Sequence, residues 1–150
     1  MEVFRLCTAA YAALDGEGAR LYGGRWNSAG KSLVYASEHL SLAVLEYLVH
    51  VEPDNLPDNL IWLHIRIADN VSKEIYPKST APPEAIASSF GNAWIEQHRS
   101  LLLLVPSAIL PMESNVLINP KHREMKKIKI LSQKSFSFES RLLQSWGSLS

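Results

Sequence analysis

The chain has 150 residues, of which 47% are hydrophobic and 20% charged, with 15 basic residues balancing 15 acidic ones. This length predicts one domain over residues 1–150, and the neutral balance excludes a global electrostatic attraction to nucleic acid or membranes. A single cysteine, Cys7, excludes an internal disulfide, and the first residues lack a signal peptide's apolar run, so we expect a cytoplasmic protein that does not contact a membrane.

The first third of the chain predicts a strand, a loop, a second strand and a helix. Residues 3–7 form an apolar strand-like run, and residues 8–21 read as a loop that leads into the glycine pair before Arg25. A short strand over residues 32–36 follows the turn at 27–30. Ser37 is a plausible N-cap for a helix over residues 39–51.

This helix carries one interior carboxylate, Glu46, in an otherwise apolar sequence that predicts burial on most sides. A buried carboxylate is costly unless it is paired, hydrogen-bonded or open to a cleft. Glu46 is therefore a structural ion pair, a carboxylate that reaches solvent, or a charge in a functional pocket. A metal site with His39 and His50 is disfavoured, because the pattern of a zinc-binding helix is missing.

The remaining chain alternates strand patterns with breaks and has no regular βαβ rhythm. We predict strands over 61–67, 101–105 and 115–118, the middle one buried on both faces. A helix is expected from Pro83 to about Phe90, ended by Gly91, and a basic segment over 121–134 is expected to be a solvated strand edge. The chain should fray from about residue 143. These elements predict an α+β fold with a central β-sheet and surrounding helices.

Five polar residues occupy apolar-flanked positions and are the candidate site. Two arginines indicate an anion of more than one charge, a tyrosine offers a flat face, and a lone carboxylate suits the positive charge that develops when a glycosidic bond breaks. A nicotinamide dinucleotide combines these features, although the residue types alone do not single it out. The five residues are Arg5, Arg25, Tyr35, Glu46 and Ser107.

Ordered sequence blocks around these residues cover nearly the whole chain and resemble the RES domain family, which takes its name from an Arg, a Glu and a Ser. The family's usual aspartate near the C-terminus is Glu139 here, which affects the expected packing of the tail and not the site. The matching blocks are residues 15–19 with 22–27, residues 34–36 with 43–46 and His50, and residues 105–108 with Glu113, Asn115, Asn119 and Pro120.

The resemblance implies an ADP-ribosyltransferase-like fold and the toxin of a bacterial toxin–antitoxin pair. Such toxins degrade NAD+ by phosphorolysis or hydrolysis and arrest growth. They need no cofactor beyond NAD+, with inorganic phosphate as a possible co-substrate. The implied partner is an Xre-type helix-turn-helix antitoxin, with a homodimeric toxin that meets DNA only through the antitoxin.

The resemblance also assigns roles to residues. Arg5 and Arg25 would hold the diphosphate or the incoming phosphate, and Tyr35 would stack on nicotinamide or its ribose. Glu46 would stabilise the oxocarbenium-like transition state. Ser107 would hydrogen-bond nearby, and Asn119 is added to the binding residues.

Two alternatives stay open at this stage. A protein-directed mono-ADP-ribosyltransferase would use the same pocket and pass ADP-ribose to a side chain. A non-enzymatic module would bind nucleic acid through the basic segment 121–134, but it would leave the interior carboxylate Glu46 unexplained.

Overall fold

The computed structural model describes residues 1–147 of the chain, without the side chains of residues 53 and 145–147. Over these residues, seven strands form one mixed sheet in the order β4-β5-β6-β2-β1-β3-β7, accompanied by four α-helices. Only the β4–β5 pair in this sheet is parallel. The α+β prediction with a central sheet is confirmed. The strands are β1 (Glu2–Thr8), β2 (Val34–Ser37), β3 (Leu60–Ile67), β4 (Lys73–Ile75), β5 (Leu102–Pro106), β6 (Ser114–Ile118) and β7 (Ile128–Ser135), and the helices are α1 (Glu17–Tyr22), α2 (Leu40–Leu48), α3 (Glu84–Glu96) and α4 (Ser140–Gly147).

The two faces of the sheet are covered differently. One face carries a continuous apolar core, to which β3 contributes alternate residues from Ile61 to Ile67 and on which loop side chains pack. On the other face, α3 packs over β5 and β6 through Trp94, while α2 packs over β1 through Ala43. These two packing clusters are separate, so the face between α2 and α3 is left open for a cavity.

The sheet is nearly divided between β1 and β2. Strand β1 pairs with β3 along its whole length, from Glu2 to Thr8, but with β2 only at the pair of Phe4 and Ser37. Backbone groups beyond that pair need other partners, because a buried carbonyl left without a hydrogen bond is costly. The strands therefore form two half-sheets that meet at one point.

Helix α3 continues through Gly91, where the sequence predicted that it would end. A Cβ atom at position 91 would lie 1.8 Å from the carbonyl oxygen of Trp26, so the glycine permits the helix to pack directly on that backbone. The glycine marks a close approach between α3 and the loop that carries Arg25. Sequence alone does not distinguish this use of glycine from a helix stop.

Three other local predictions are corrected. Helix α1 lies within the segment predicted as a loop. Ser37 is the last residue of β2 and donates to Asn115 Oδ1 at 2.7 Å, so it does not cap α2, which begins after His39 without a side-chain cap. Helix α2 is also shorter and less buried than predicted, since Val49, just beyond its end, is 55% exposed and Leu45 is 38% exposed.

The C-terminal part of the chain forms one border of the sheet. Strand β7 is an edge strand, and most of its side chains are exposed, which confirms the predicted solvated edge for residues 128–134. The first part of the basic segment is not a strand, because residues Arg123–Lys127 form a 3-10 helix. The chain is helical through Gly147, although fraying was expected from about residue 143, and residues 148–150 lie outside the described part. Within the described residues, no helix has the length and apolar character needed to cross a membrane.

Candidate active site

A cavity of about 510 Å³ opens between α2, the loop after α1 and the exposed face of the sheet near the β1–β2 division. Its lining includes four of the five candidate residues, Arg5, Arg25, Tyr35 and Glu46, which are far apart in sequence. Tyr47 of α2 and His50, just beyond the end of that helix, also line it. The sequence-based grouping of these side chains around one cavity therefore corresponds to the structure.

Glu46 is held through one of its two carboxylate oxygens. Its Oε1 accepts a hydrogen bond from Ser107 Oγ at 2.6 Å and another from Asn115 Nδ2 at 2.8 Å. Asn115 is itself oriented by the bond from Ser37. No described residue donates to Oε2, so this oxygen remains available to a ligand in the cavity. The carboxylate is held by two neutral donors and makes no ion pair with a described residue, so the structural ion pair is excluded for the described part of the chain.

Ser107 is completely buried and stands behind Glu46, outside the cavity lining. Its hydroxyl donates to Glu46 and accepts from the backbone amides of Ile109 at 3.1 Å and Leu110 at 3.0 Å. These bonds use its one donor and both acceptor positions. Ser107 therefore positions Glu46 and does not itself reach a ligand, which changes the predicted binding role.

The two arginines approach the cavity from opposite sides of the division in the sheet. Arg5 Nη1 donates to the carbonyl oxygen of Tyr35 at 2.8 Å, and Arg25 Nη2 donates to that of Pro82 at 2.7 Å. In both side chains the buried Nε has no hydrogen-bond partner among the described atoms. An unpaired buried donor is costly, and an anion in the cavity would satisfy guanidinium groups held in this way.

Tyr35 lines the cavity with its ring, but its hydroxyl is already engaged. It donates to Asn27 Oδ1 at 2.6 Å and accepts from the amide of Trp26 at 2.9 Å. The amide group of Asn27 donates in turn to the carbonyls of Ala19 and Lys31. Burial raises the pKa of the Tyr35 phenol, so the hydroxyl stays neutral at physiological pH. Tyr35 can present a flat face to a ligand but cannot act as a base.

The glycine before Arg25 has a specific packing reason. A Cβ atom at Gly24 would lie 2.6 Å from the Tyr35 hydroxyl oxygen, so only glycine lets the loop lie against the locked tyrosine. Cys7 also lines the cavity, but burial raises the pKa of its thiol and keeps it protonated, in agreement with the predicted packing role.

Two residues named from the sequence lie elsewhere. Asn119 is buried at the end of β6, where Oδ1 accepts from the Lys121 amide and Nδ2 faces the Ile95 carbonyl at 3.5 Å. It does not line the cavity, so its side chain holds a turn and the end of α3. His39 Nδ1 lies 3.0 Å from Glu113 Oε1 instead of joining Glu46 in a metal-binding group.

Sequence reasoning missed other residues of the site. Asn115 was noted only as part of a matching block, because an asparagine at the start of a strand is ordinary without its partner. Tyr11 and Tyr22 at the mouth of the cavity were not singled out. Asn27 was noted only as a turn residue and as part of a matching block.

The fold and cavity define a class of site before any relative is considered: a carboxylate with one free oxygen beside two anchored guanidinium groups, on one open face of an α+β sheet. Such a site suits an anion that carries a centre of developing positive charge. The chain belongs to the RES domain family, whose model matches residues 2–139.

Curated relatives are similar along most of their length. The chain is 38% identical to Toxin Res of Photorhabdus laumondii, with 96% of this chain and 98% of the relative covered. It is 39% identical to Toxin Res of Pseudomonas putida, with 89% and 95% covered. It is also 37% identical to the Prs ADP-ribosylating toxin of a Sphingobium species, with 87% of each chain covered.

A solved structure resembles the fold. The crystal structure of the M. tuberculosis MbcT–MbcA toxin–antitoxin complex contains a chain that matches with a TM-score of 0.72 at 17% identity. The match covers 98% of this chain and 88% of that chain. At this level of identity the likeness concerns the fold alone.

Proposed function

We propose that residues 1–150 act as a single RES domain, the toxin of a bacterial toxin–antitoxin pair, and that the toxin cleaves the nicotinamide–ribose bond of NAD+ in the cytoplasm. The observation that carries the proposal is the geometry of Glu46, whose Oε1 is fixed by two neutral donors while Oε2 is left for a ligand. The names of the curated relatives support the toxin assignment.

The proposed reaction follows from charge. As the bond between the ribose C1″ and the nicotinamide nitrogen breaks, its electron pair leaves with neutral nicotinamide and positive charge develops on the ribose. The preorganised Glu46 carboxylate stabilises that charge more in the transition state than in the ground state. An oxygen of inorganic phosphate or of water then forms the new bond to C1″, and attacking water releases its proton to solvent.

The other cavity residues bind and orient in this scheme. Arg5 and Arg25 hold the diphosphate, or the incoming phosphate, with the guanidinium donors that are not bonded to carbonyls. The Tyr35 ring packs against nicotinamide or its ribose, since its hydroxyl is engaged elsewhere. No cofactor beyond NAD+ takes part.

The test is NAD+ consumption by purified, antitoxin-free protein in buffers with and without phosphate. Phosphate-dependent formation of nicotinamide and ADP-ribose-1″-phosphate identifies a phosphorylase, and free ADP-ribose without phosphate identifies a hydrolase. Glu46→Gln is the matched inactive control, because it keeps the shape of the side chain. If the folded wild-type protein consumes no NAD+ in either buffer, the proposed cleavage to these products is wrong.

A second candidate is a protein-directed mono-ADP-ribosyltransferase, in which a protein side chain replaces water or phosphate. One finding favours it: a 37% identical relative is named an ADP-ribosylating toxin of Prs. Incubation of NAD+ labelled in the ADP-ribose moiety with a lysate distinguishes the two. Label retained on a protein after denaturation supports the transferase, and label found only in small molecules excludes it.

The proposed partner is an Xre-type helix-turn-helix antitoxin, with the toxin as a homodimer in the complex and DNA contacted only through the antitoxin. The similarity of the fold to a chain from a toxin–antitoxin complex supports the existence of such a partner. Co-expression with the product of a neighbouring helix-turn-helix gene should give a complex whose mass reports its stoichiometry. A toxin that stays separate from that product contradicts the assignment of the partner.

A further inference from the structure

Two tyrosines at the mouth of the cavity have no part in the chemistry proposed above. Tyr22, the last residue of α1, is 76% exposed although its ring lines the cavity. It meets Tyr11 edge to face, with ring centroids 6.5 Å apart and an angle of 85° between the planes. Their hydroxyl oxygens lie 3.5 Å apart. Together the rings form an L-shaped aromatic corner that leaves a ring face uncovered.

The corner is supported from behind by a glycine. A Cβ atom at Gly18 would meet the ring of Tyr11 at 3.4 Å, so the ring lies directly on the first turn of α1. Gly18 and Tyr22 are four residues apart and share one side of that helix. The backbone thus fixes Tyr11, and Tyr11 contacts Tyr22. Most of Tyr22 therefore faces solvent at the cavity, where a flat ligand can stack on its ring.

The order of residues along β1 places this corner at the end of the cavity away from Glu46. Phe4 pairs with Ser37, which contacts Asn115 and hence belongs to the Glu46 end. Thr8 ends β1, and Tyr11 is the last residue of the single 3-10 turn that follows, Ala9–Tyr11. At about 3.3 Å per residue, Phe4 and Thr8 are about 13 Å apart.

The Arg5 guanidinium group lies between these ends, and Arg25 lines the same cavity. Arg5 contacts the Tyr35 carbonyl in the middle of the division between β1 and β2, and Arg25 follows Tyr22 by three residues, after the glycine pair. A ligand that extends along the cavity therefore meets a carboxylate, then cations, then an aromatic corner.

We propose that the Tyr11–Tyr22 corner binds the adenine base of NAD+ by stacking and so makes the site selective for the dinucleotide. The inference rests on the proposed function for the identity of the ligand. In NAD+ the nicotinamide ribose and the adenine are separated by the diphosphate, in the same order as Glu46, the arginines and the tyrosines. The flat adenine ring stacks on one tyrosine face and meets the edge of the other.

This assignment gives Tyr22 a role in affinity and not in the chemical step. A base that stays in place while the distant bond breaks contributes equally to the ground state and the transition state. Loss of the ring should therefore raise the KM for NAD+ and leave kcat nearly unchanged. A substrate that lacks the adenylate half should not respond to the change.

The experiment is a calorimetric titration of AMP and of nicotinamide mononucleotide into the wild-type chain and three variants. Tyr22→Ala should weaken AMP binding about tenfold, within the range found when a stacking aromatic is replaced by alanine. Tyr22→Phe keeps the ring and should bind AMP as the wild type does. Leu21→Ala is the matched control, since Leu21 is the exposed neighbour on α1 and does not line the cavity. Nicotinamide mononucleotide should bind all four proteins equally.

The outcomes separate this inference from the proposed function. Equal AMP affinity in the wild type and in folded Tyr22→Ala overturns the adenine site, as does wild-type protein that does not bind AMP. An equal loss of affinity for nicotinamide mononucleotide overturns it too, because Tyr22 would then act at the other half of the ligand. AMP binding that depends on Tyr22 in a protein that consumes no NAD+ supports the base-binding corner and counts against cleavage alone.

Discussion

Two hydrogen-bonded networks line the same cavity, one around Glu46 and one around Tyr35, and they end differently. The Tyr35 network is closed. The Tyr35 hydroxyl donates to Asn27 Oδ1 and accepts a hydrogen bond from the Trp26 amide, and the Asn27 side-chain amide donates to backbone carbonyls. The Glu46 network is open, because its donors both converge on Oε1.

The difference supports the proposed assignment, in which Glu46 acts on the ligand and Tyr35 stabilises the cavity wall. A closed network of neutral groups in a buried position stabilises one backbone arrangement, here the loop before Arg25. In the open network the second oxygen of the Glu46 carboxylate has no partner within the described part of the protein, so its charge can interact with a bound ligand. The four predictions below test this division, beginning with the largest expected effect.

Glu46→Gln should abolish the action of the open network while preserving its shape. We expect NAD+ turnover to fall by at least about two orders of magnitude, the scale of one preorganised electrostatic group. The melting temperature should remain close to that of the wild type. Near-native turnover by the folded variant would show that the charge of Glu46 is not required.

Ser107→Ala should separate positioning from chemistry. It removes one of the two donors to Glu46 and leaves the amides of Ile109 and Leu110 without their acceptor. We expect a loss of about 1–3 kcal/mol in the free energy of unfolding, from buried groups left unpaired. We also expect kcat to fall by about tenfold with little change in KM, since the carboxylate is retained but less well held.

Ser107→Thr is the matched control for that prediction, because it restores a hydroxyl at the same position. Recovery of both kcat and stability by threonine would support the hydrogen bond as the cause. A fall in stability with unchanged kcat would instead restrict Ser107 to folding.

Tyr35→Phe should affect the closed network and leave the chemistry largely intact. The loss of the hydroxyl removes the partner of Asn27 Oδ1 and of the Trp26 amide, at a cost of about 1–3 kcal/mol in the free energy of unfolding. NAD+ turnover should stay within about threefold, because the flat ring face remains. A loss of turnover as large as that of Glu46→Gln would place the hydroxyl in the reaction.

The smallest effect is expected at alkaline pH. Burial raises the pKa of Tyr35 in the folded chain above its unfolded value of about 10. Above that pH the unfolded chain releases the proton while the folded chain keeps it. The free energy of unfolding should therefore decrease as pH rises, by up to about 1.4 kcal/mol per pH unit from this residue. Denaturant titrations from about pH 9 to about pH 11, a range that brackets the unfolded pKa, should show that the free energy of unfolding falls less steeply in Tyr35→Phe than in the wild type.

The sequence predicted which charged residues line the cavity. Glu46 interrupts an apolar helix, a costly placement unless the structure gives the charge a partner or a cleft, and Arg25 follows a glycine pair that allows close approach of the backbone. The alternating pattern of β3 likewise predicts its strand from local information. These features depend on near neighbours in the chain.

The features that were missed depend on distant contacts. Gly91 serves a contact with Trp26, and Asn115 is significant only because Glu46 lies opposite it. Asn119 belongs to the matching family blocks, yet its side chain bonds backbone groups of Lys121 and Ile95 and does not line the cavity. Strand β4, with three residues, is too short to give a periodic pattern. No local propensity carries this information.

The single point of pairing between β1 and β2 has a mechanical consequence. Arg5 belongs to one half-sheet, whereas Tyr35 and Asn115 belong to the other, and residues of both half-sheets line the cavity. The hydrogen bond from Arg5 to the Tyr35 carbonyl joins the two half-sheets beside the cavity. A ligand that contacts both Arg5 and Tyr35 would add a second connection at a place where backbone pairing is limited to Phe4 and Ser37.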